Sequence, residues 1–147
     1  MRCEIVAVGT EILLGQIVDT NSAWIAERLA DAGIDCHFQT VVGDNPERML
    51  EVLAAGVKRS EALIVTGGLG PTQDDLTREV VAELMGVELV RDTEIVERIE
   101  GRFSSRGKSM PANNLKQADI PIGAKAIAEM PGTAAGLICP MPGGKVI

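Results

Sequence analysis

Residues 66–77 read TGGLGPTQDDLT, and the chemistry of this stretch pulls in two directions. Gly67, Gly68 and Gly70 let backbone N–H groups crowd toward an anion as bulkier residues would not. Asp74 and Asp75 follow within a few residues and would repel that same anion. A divalent cation between acid and phosphate resolves the conflict, and Mg²⁺ is the expected ion. It is usually held by one or two carboxylates together with substrate phosphate oxygens. One aspartate then serves as a metal ligand, while the other orients a water or caps a helix. The only histidine is His37, so a general base here is expected to be a carboxylate. The implied chemistry is metal-assisted attack on a phosphoanhydride.

Such a loop needs a strand before it and a helix after it. CEIVAV (3–8), DCHFQTVV (35–42) and ALIVT (62–66) read as strands. Helices are expected from the caps at 19–21 to Ala32, from Asn45-Pro46 to Arg59, and over 74–86, ended by Gly86. This last helix places Leu76, Val80, Val81 and Leu84 on one side. Strands alternating with helices imply an α/β fold of three layers, αβα, around a mostly parallel sheet. Ligands of such sheets sit beyond the carboxyl ends of the strands. The loops there carry GTE (9–11), GDN (43–45) and GGLGPTQDD (67–75), so glycine and acid recur in all three.

Further along, residues 92–106 predict a helix with Ile95, Ile99 and Phe103 on one stripe. Residues 110–118 predict a short helix started by Pro111. The remainder predicts two or three closing strands. The whole chain reads as a single domain, 1–147.

Two phosphate motifs are excluded. GRFSSRGKS (101–109) has five residues between Gly101 and Gly107 where a Walker A loop has four, and it leaves a helix rather than a strand. The dinucleotide fingerprint fails at its third glycine position, which is Gln73.

Net charge is −7, and the aromatic residues are Trp24, Phe38 and Phe103. A nucleic-acid partner wants a basic face or stacking rings, so none is expected. No apolar run is long enough to cross a membrane. Cys3, Cys36 and Cys139 lack metal-ligand spacing and read as buried, reduced thiols in a cytoplasmic protein.

Three segments, VGTEILLGQIVDTNSAWIAERL, TGGLGPTQDDLTREVVAE, and NNLKQADIPIGA followed by PGTAAG, together resemble the amino-terminal domain of the CinA (competence/damage-inducible) family. That domain is similar to the molybdopterin-binding fold of the MoaB/Mog type. The resemblance implies metal-dependent hydrolysis of ADP-ribose to AMP and ribose 5-phosphate, with a homodimer as the expected assembly. Alternatives are molybdopterin binding or adenylyl transfer in molybdenum cofactor biosynthesis, and nucleotide binding without turnover. By motif, Thr66, Gly67, Gly68, Leu69, Gly70, Pro71 and Thr72 would line the phosphate site. Gly9, Thr10, Glu11, Asn21, Thr77 and Lys116 join them as ligand-binding candidates, with Lys116 as a phosphate cation. Asp75 and Asp44 are the catalytic candidates, and Asp74 and Asp75 the metal ligands. Gly68→Val is expected to block phosphate with little effect on the sheet.

The chain departs from the family at Ala135, where Pro is frequent, and at Glu129-Met130, where Asn is frequent. The family usually continues into a Leu-Pro-Gly segment past the position of Ile147, so this chain is expected to be part of a longer one. A deamidase activity carried by a further domain is not assigned to these residues.

Overall fold

The computed structural model describes residues 1–127, 129 and 131–147; of the two family departures, Met130 lies outside them. Strand β1 (Arg2–Val8) is buried over most of its length, and its side chains alternate between two cores. Val6 and Val8 join Met49 and Leu53 of α3 (Pro46–Arg59) and Val80 and Val81 of α4 (Thr77–Met85). Cys3 and Ile5 face the other way, toward Leu29 of α2 (Thr20–Asp31). This period-two alternation places helices on both faces of the sheet.

β2 (Asp35–Val42) and β3 (Ala62–Thr66) pair with β1 in parallel on either side. The caps expected from sequence form. The Asp19 side chain accepts from Ser22 N–H, and the Asn45 side chain from Arg48 N–H with Pro46 next in line. Gly86 closes α4 in the left-handed region, φ +70°.

Several elements differ from the sequence reading. Thr10–Leu13 forms a one-turn helix, α1, where only a loop is predicted. β4 (Leu89–Arg91) is an additional short strand; it pairs antiparallel with β5 (Asp119–Pro121). α5 (Thr93–Ser104) forms as predicted and buries Ile95 and Ile99, but residues 112–118 wind as a 3-10 helix. Among the described residues after Ala118 the closing strands are five, β5 and four more, rather than two or three. β6 (Lys125–Ala126) pairs with β7 (Leu137–Ile138), and β8 (Pro140–Met141) with β9 (Lys145–Val146). β9 also joins the main sheet in parallel with β3, giving the order β2-β1-β3-β9-β8.

The three thiols are free. Cys3 and Cys139 are buried as expected, whereas Cys36 is only half-buried because β2 is an edge strand. Burial pushes the Cys139 thiol up to about 11. Among the described residues, no helix is long and apolar enough to cross a membrane.

Candidate functional site

The sheet register sets the site. Val8 pairs with Val42, and Ala7 with Thr66, so Gly9, Gly43 and Gly67 follow three adjacent strands at one end of the sheet. The three loops are interlocked there. Gly9 N–H donates to the Val42 carbonyl at 2.9 Å. A Cβ on Gly43 would stand 3.2 Å from Thr10 Oγ1, and one on Gly67 only 2.0 Å from the Val8 carbonyl oxygen.

Each candidate catalytic acid is fastened to a threonine. Asp44 Oδ2 accepts from Thr10 N–H at 2.9 Å and from Thr10 Oγ1 at 2.7 Å, joining the second loop to the first. Asp75 Oδ2 accepts from Thr72 N–H at 2.9 Å and from Thr72 Oγ1 at 2.5 Å. Burial raises the pKa of the Asp75 carboxyl, but the Thr72 hydroxyl and N–H, the Gly70 N–H and the Lys116 ammonium outweigh it and hold the group below the usual range. Asp75 is therefore a carboxylate seated among backbone N–H donors.

That seating corrects the helix boundary. α4 begins at Thr77, not at 74, and its N-cap Leu76 makes no side-chain cap. Asp75 spends its carboxylate on the loop instead of the helix end. Asp74 is exposed and stands outside this network.

The glycines have an internal reason as well as a ligand reason. Gly68 lies at φ +64°, and a Cβ there would meet Thr77 Oγ1 at 2.3 Å. A Cβ on Gly70 would meet Asp75 Oδ2 at 2.5 Å. Thr77 Oγ1 itself donates to the Gly67 carbonyl at 2.8 Å. Gly68→Val therefore costs stability, contrary to the expectation from sequence.

Lys116 reaches the loop but is occupied. Its Nζ donates to the Thr72 carbonyl at 2.9 Å and the Asp75 carbonyl at 2.5 Å, and pairs with Glu79 Oε1 at 3.1 Å. An ammonium has three protons, so the chain's own oxygens account for all of them. Lys116 acts as a strut for the loop. Asn21 lies beside Thr66, with Nδ2 3.5 Å from Thr66 Oγ1, the outer limit of a hydrogen bond. Glu11 and Thr72 are exposed at the site, and Pro71 is half-buried.

Sequence reasoning missed Arg78. It is 2% exposed and donates through both terminal nitrogens to the carbonyls of Leu69 and Gly70, at 2.6 and 2.8 Å. Gln117 adds a bond to Leu69 O at 3.3 Å and is itself held by Asn114 at 2.9 Å. The available signal was position. Arg78 stands three and four residues before Val81 and Ala82, on the buried stripe of α4.

No group of three or more His, Cys, Asp or Glu among the described residues could hold a metal alone. The donor set fits a hydrated cation that shares one or two carboxylates with phosphate, and not a closed protein cage. A cavity of about 560 Å³ runs along the β3 edge, with apolar walls that include Leu29, Ile64, Leu137 and Ile147, and it reaches the glycine loop at Leu69, Thr77 and Arg78.

The protein family described as "Probable molybdopterin binding domain" matches residues 4–146. A competence-damage inducible protein of Caldicellulosiruptor bescii is 54% identical over 138 residues, 94% of this chain and 34% of its own length. A CinA-like protein of Dictyoglomus turgidum is 49% identical over 147 residues, all of this chain and 36% of that protein. The chain thus spans about a third of these relatives. The crystal structure of a CinA protein from Thermoplasma acidophilum, itself of unknown function, superposes with a TM-score of 0.88 at 34% identity, covering 99% of this chain and 84% of that one. The MoaB protein of Thermus thermophilus shares the fold alone, with a TM-score of 0.57 at 22% identity over 92% of this chain and 78% of its own. With the interlocked glycine–acid loops on the mostly parallel sheet, these matches identify the chain as a member of the CinA family carrying its molybdopterin-binding-type domain.

Proposed function

We propose that this domain binds a small phosphorylated nucleotide in the loops after β1, β2 and β3 and hydrolyses the diphosphate bond of ADP-ribose, giving AMP and ribose 5-phosphate. The observation that carries the reading is the pairing of two carboxylates, Asp44 and Asp75, each held by a threonine at the same end of the sheet. Rigidly held acids beside N–H donors suit a diphosphate, whose charge must be met and whose phosphorus must be approached by water.

In this reading the Gly67–Thr72 backbone holds the phosphate, and Thr10 and Thr72 fix the two acids. Asp44 or Asp75, acting as base, takes a proton from the attacking water; the bridging oxygen leaves on AMP or on ribose 5-phosphate. A divalent cation, Mg²⁺ by the oxygen donors present, would be held by Asp75 and Asp74 with phosphate oxygens, and would neutralise charge developing on the diphosphate. The family description favours a second ligand class, a phosphate-bearing pterin, for the same cradle.

The test is incubation with ADP-ribose and Mg²⁺, then with molybdopterin and ATP, separating products each time. AMP and ribose 5-phosphate in the first arm support hydrolysis. An adenylylated pterin in the second arm alone replaces it with adenylyl transfer. Binding in either arm without product reduces the domain to a nucleotide- or pterin-binding module.

A further inference from the structure

Arg78 is a buried cation with no counter-ion in contact. Its side chain is almost wholly inside, its Nε has no hydrogen-bond partner, and its bonds go to neutral carbonyls. None of the ion pairs among the described residues includes it. Glu79, Asp75 and Asp119 act on it only as neighbouring charges, and burial is the larger influence on its pKa, lowering it. Burying a guanidinium without a contact partner is costly, so the fold retains this one against that cost.

The peptide geometry says what Arg78 does. A trans peptide unit is planar, with its N–H pointing opposite to its C=O. Arg78 and Gln117 both pull on the Leu69 carbonyl, which turns the N–H of Gly70 the other way, toward the Asp75 carboxylate. Lys116 pulls on the Thr72 and Asp75 carbonyls, which turns the N–H groups of Gln73 and Leu76 away from it. The Gly70 carbonyl, also held by Arg78, belongs to the peptide unit of Pro71, which has no N–H to present.

We propose that Arg78, assisted by Lys116, is the positioning residue of a phosphate cradle: it fixes the loop carbonyls inward, presents the N–H groups of Gly70, Gln73 and Leu76 outward, and supplies positive charge that the bound phosphate balances. The inference rests on the reading of loop 66–75 as a phosphate site, and deepens it by naming the donors.

The experiment uses the whole chain and inorganic pyrophosphate as probe. Backbone amide resonances are followed during titration, and affinity is measured by calorimetry for the wild type, Arg78→Lys and Arg78→Gln. In the wild type, the amides of Gly70, Gln73 and Leu76 shift together on one binding curve. Arg78→Lys keeps the charge but not the planar fork that spans two carbonyls, so it loses affinity by about threefold to tenfold while keeping the wild-type salt dependence. Arg78→Gln loses at least about tenfold and shows a weaker salt dependence, because one positive charge is gone. A merely structural arginine would not change the salt dependence.

If Arg78→Gln does not fold, the wild-type amides decide: concerted shifts support the proposal, and their absence overturns it. Folded Arg78→Gln with wild-type affinity and salt dependence also overturns it. Binding that moves only the amides of residues 9–11 overturns the role of Arg78 while leaving a phosphate site at these loops. No binding at any loop removes the phosphate-site reading itself, and the role of Arg78 with it.

Discussion

The hydroxyl of Thr72 donates to Asp75 Oδ2 at 2.5 Å, and the N–H of the same threonine donates to the same oxygen at 2.9 Å. Thr10 treats Asp44 in the same way across two loops. Asp75 is thus stabilised by the Thr72 hydroxyl and the N–H groups of Thr72 and Gly70, donors of the kind that would also hold a phosphate. The conflict within TGGLGPTQDD is resolved in the folded chain, which satisfies the loop with its own carboxylate.

Asp75→Asn is expected to abolish turnover of ADP-ribose while leaving its affinity within about tenfold, equivalent to roughly 1.4 kcal/mol. The amide keeps one oxygen for Thr72 and loses the charge. Product separation and calorimetric titration check both halves. Binding lost outright in a folded variant would make Asp75 a ligand anchor instead.

Thr72→Val should raise the Asp75 pKa toward the ordinary aspartate value, because the largest of the lowering influences is the hydroxyl it removes. The sign for stability follows from linkage. A carboxyl depressed in the folded state contributes stability above its unfolded value, about 3.9, and loses it as pH falls through the lower folded value. The variant should therefore show a shallower loss of stability with acid below about pH 4. Carbon-detected titration of the carboxyl reads the shift directly; no upward movement would show that the Thr72 hydroxyl is not a significant partner.

Gly67→Ala should destabilise the fold by about 1–3 kcal/mol, since φ is +95° and the new methyl would stand 2.0 Å from the Val8 carbonyl oxygen. That neighbour is backbone in a buried strand and cannot swing aside. At this size each kcal/mol lowers the melting midpoint by about 2–4 °C. An unchanged midpoint would mean that β1 and the glycine loop are not in this contact.

Lys116→Met should cost about 1–2 kcal/mol through lost hydrogen bonds to the Thr72 and Asp75 carbonyls, the pair with Glu79 adding little because both side chains are partly exposed. Amide exchange over residues 69–76 should quicken. Unchanged exchange with phosphate binding lost would instead make Lys116 the phosphate cation expected from the family resemblance.

The α/β class and the meeting of the three glycine–acid loops were legible because their signals are local. Short continuous apolar runs give strands, and Asn45-Pro46 and Gly86 fix helix ends through their own side chains and dihedrals. Glycine followed by acid marks three loops, and the rule for parallel sheets places those loops together. The partner of each acid was not legible. Asp44 bonds to a threonine 34 residues away, and Glu4, fully buried within β1, is met by Arg59 from the end of α3. The start of α4 was misplaced because Asp75 can satisfy either a helix end or a loop, and only the seated loop decides between them. The burial of Arg78 was not legible either. The Leu69 carbonyl that it holds also accepts from Gln117, on the 3-10 helix of residues 112–118, far along the chain. The sequence determined which segments could be strands, helices and glycine-rich loops, since propensity and patterning act within a few residues. The tertiary structure decided which donor meets which acceptor, since a buried hydrogen bond forms only where the whole chain has brought two distant groups together and excluded water from both.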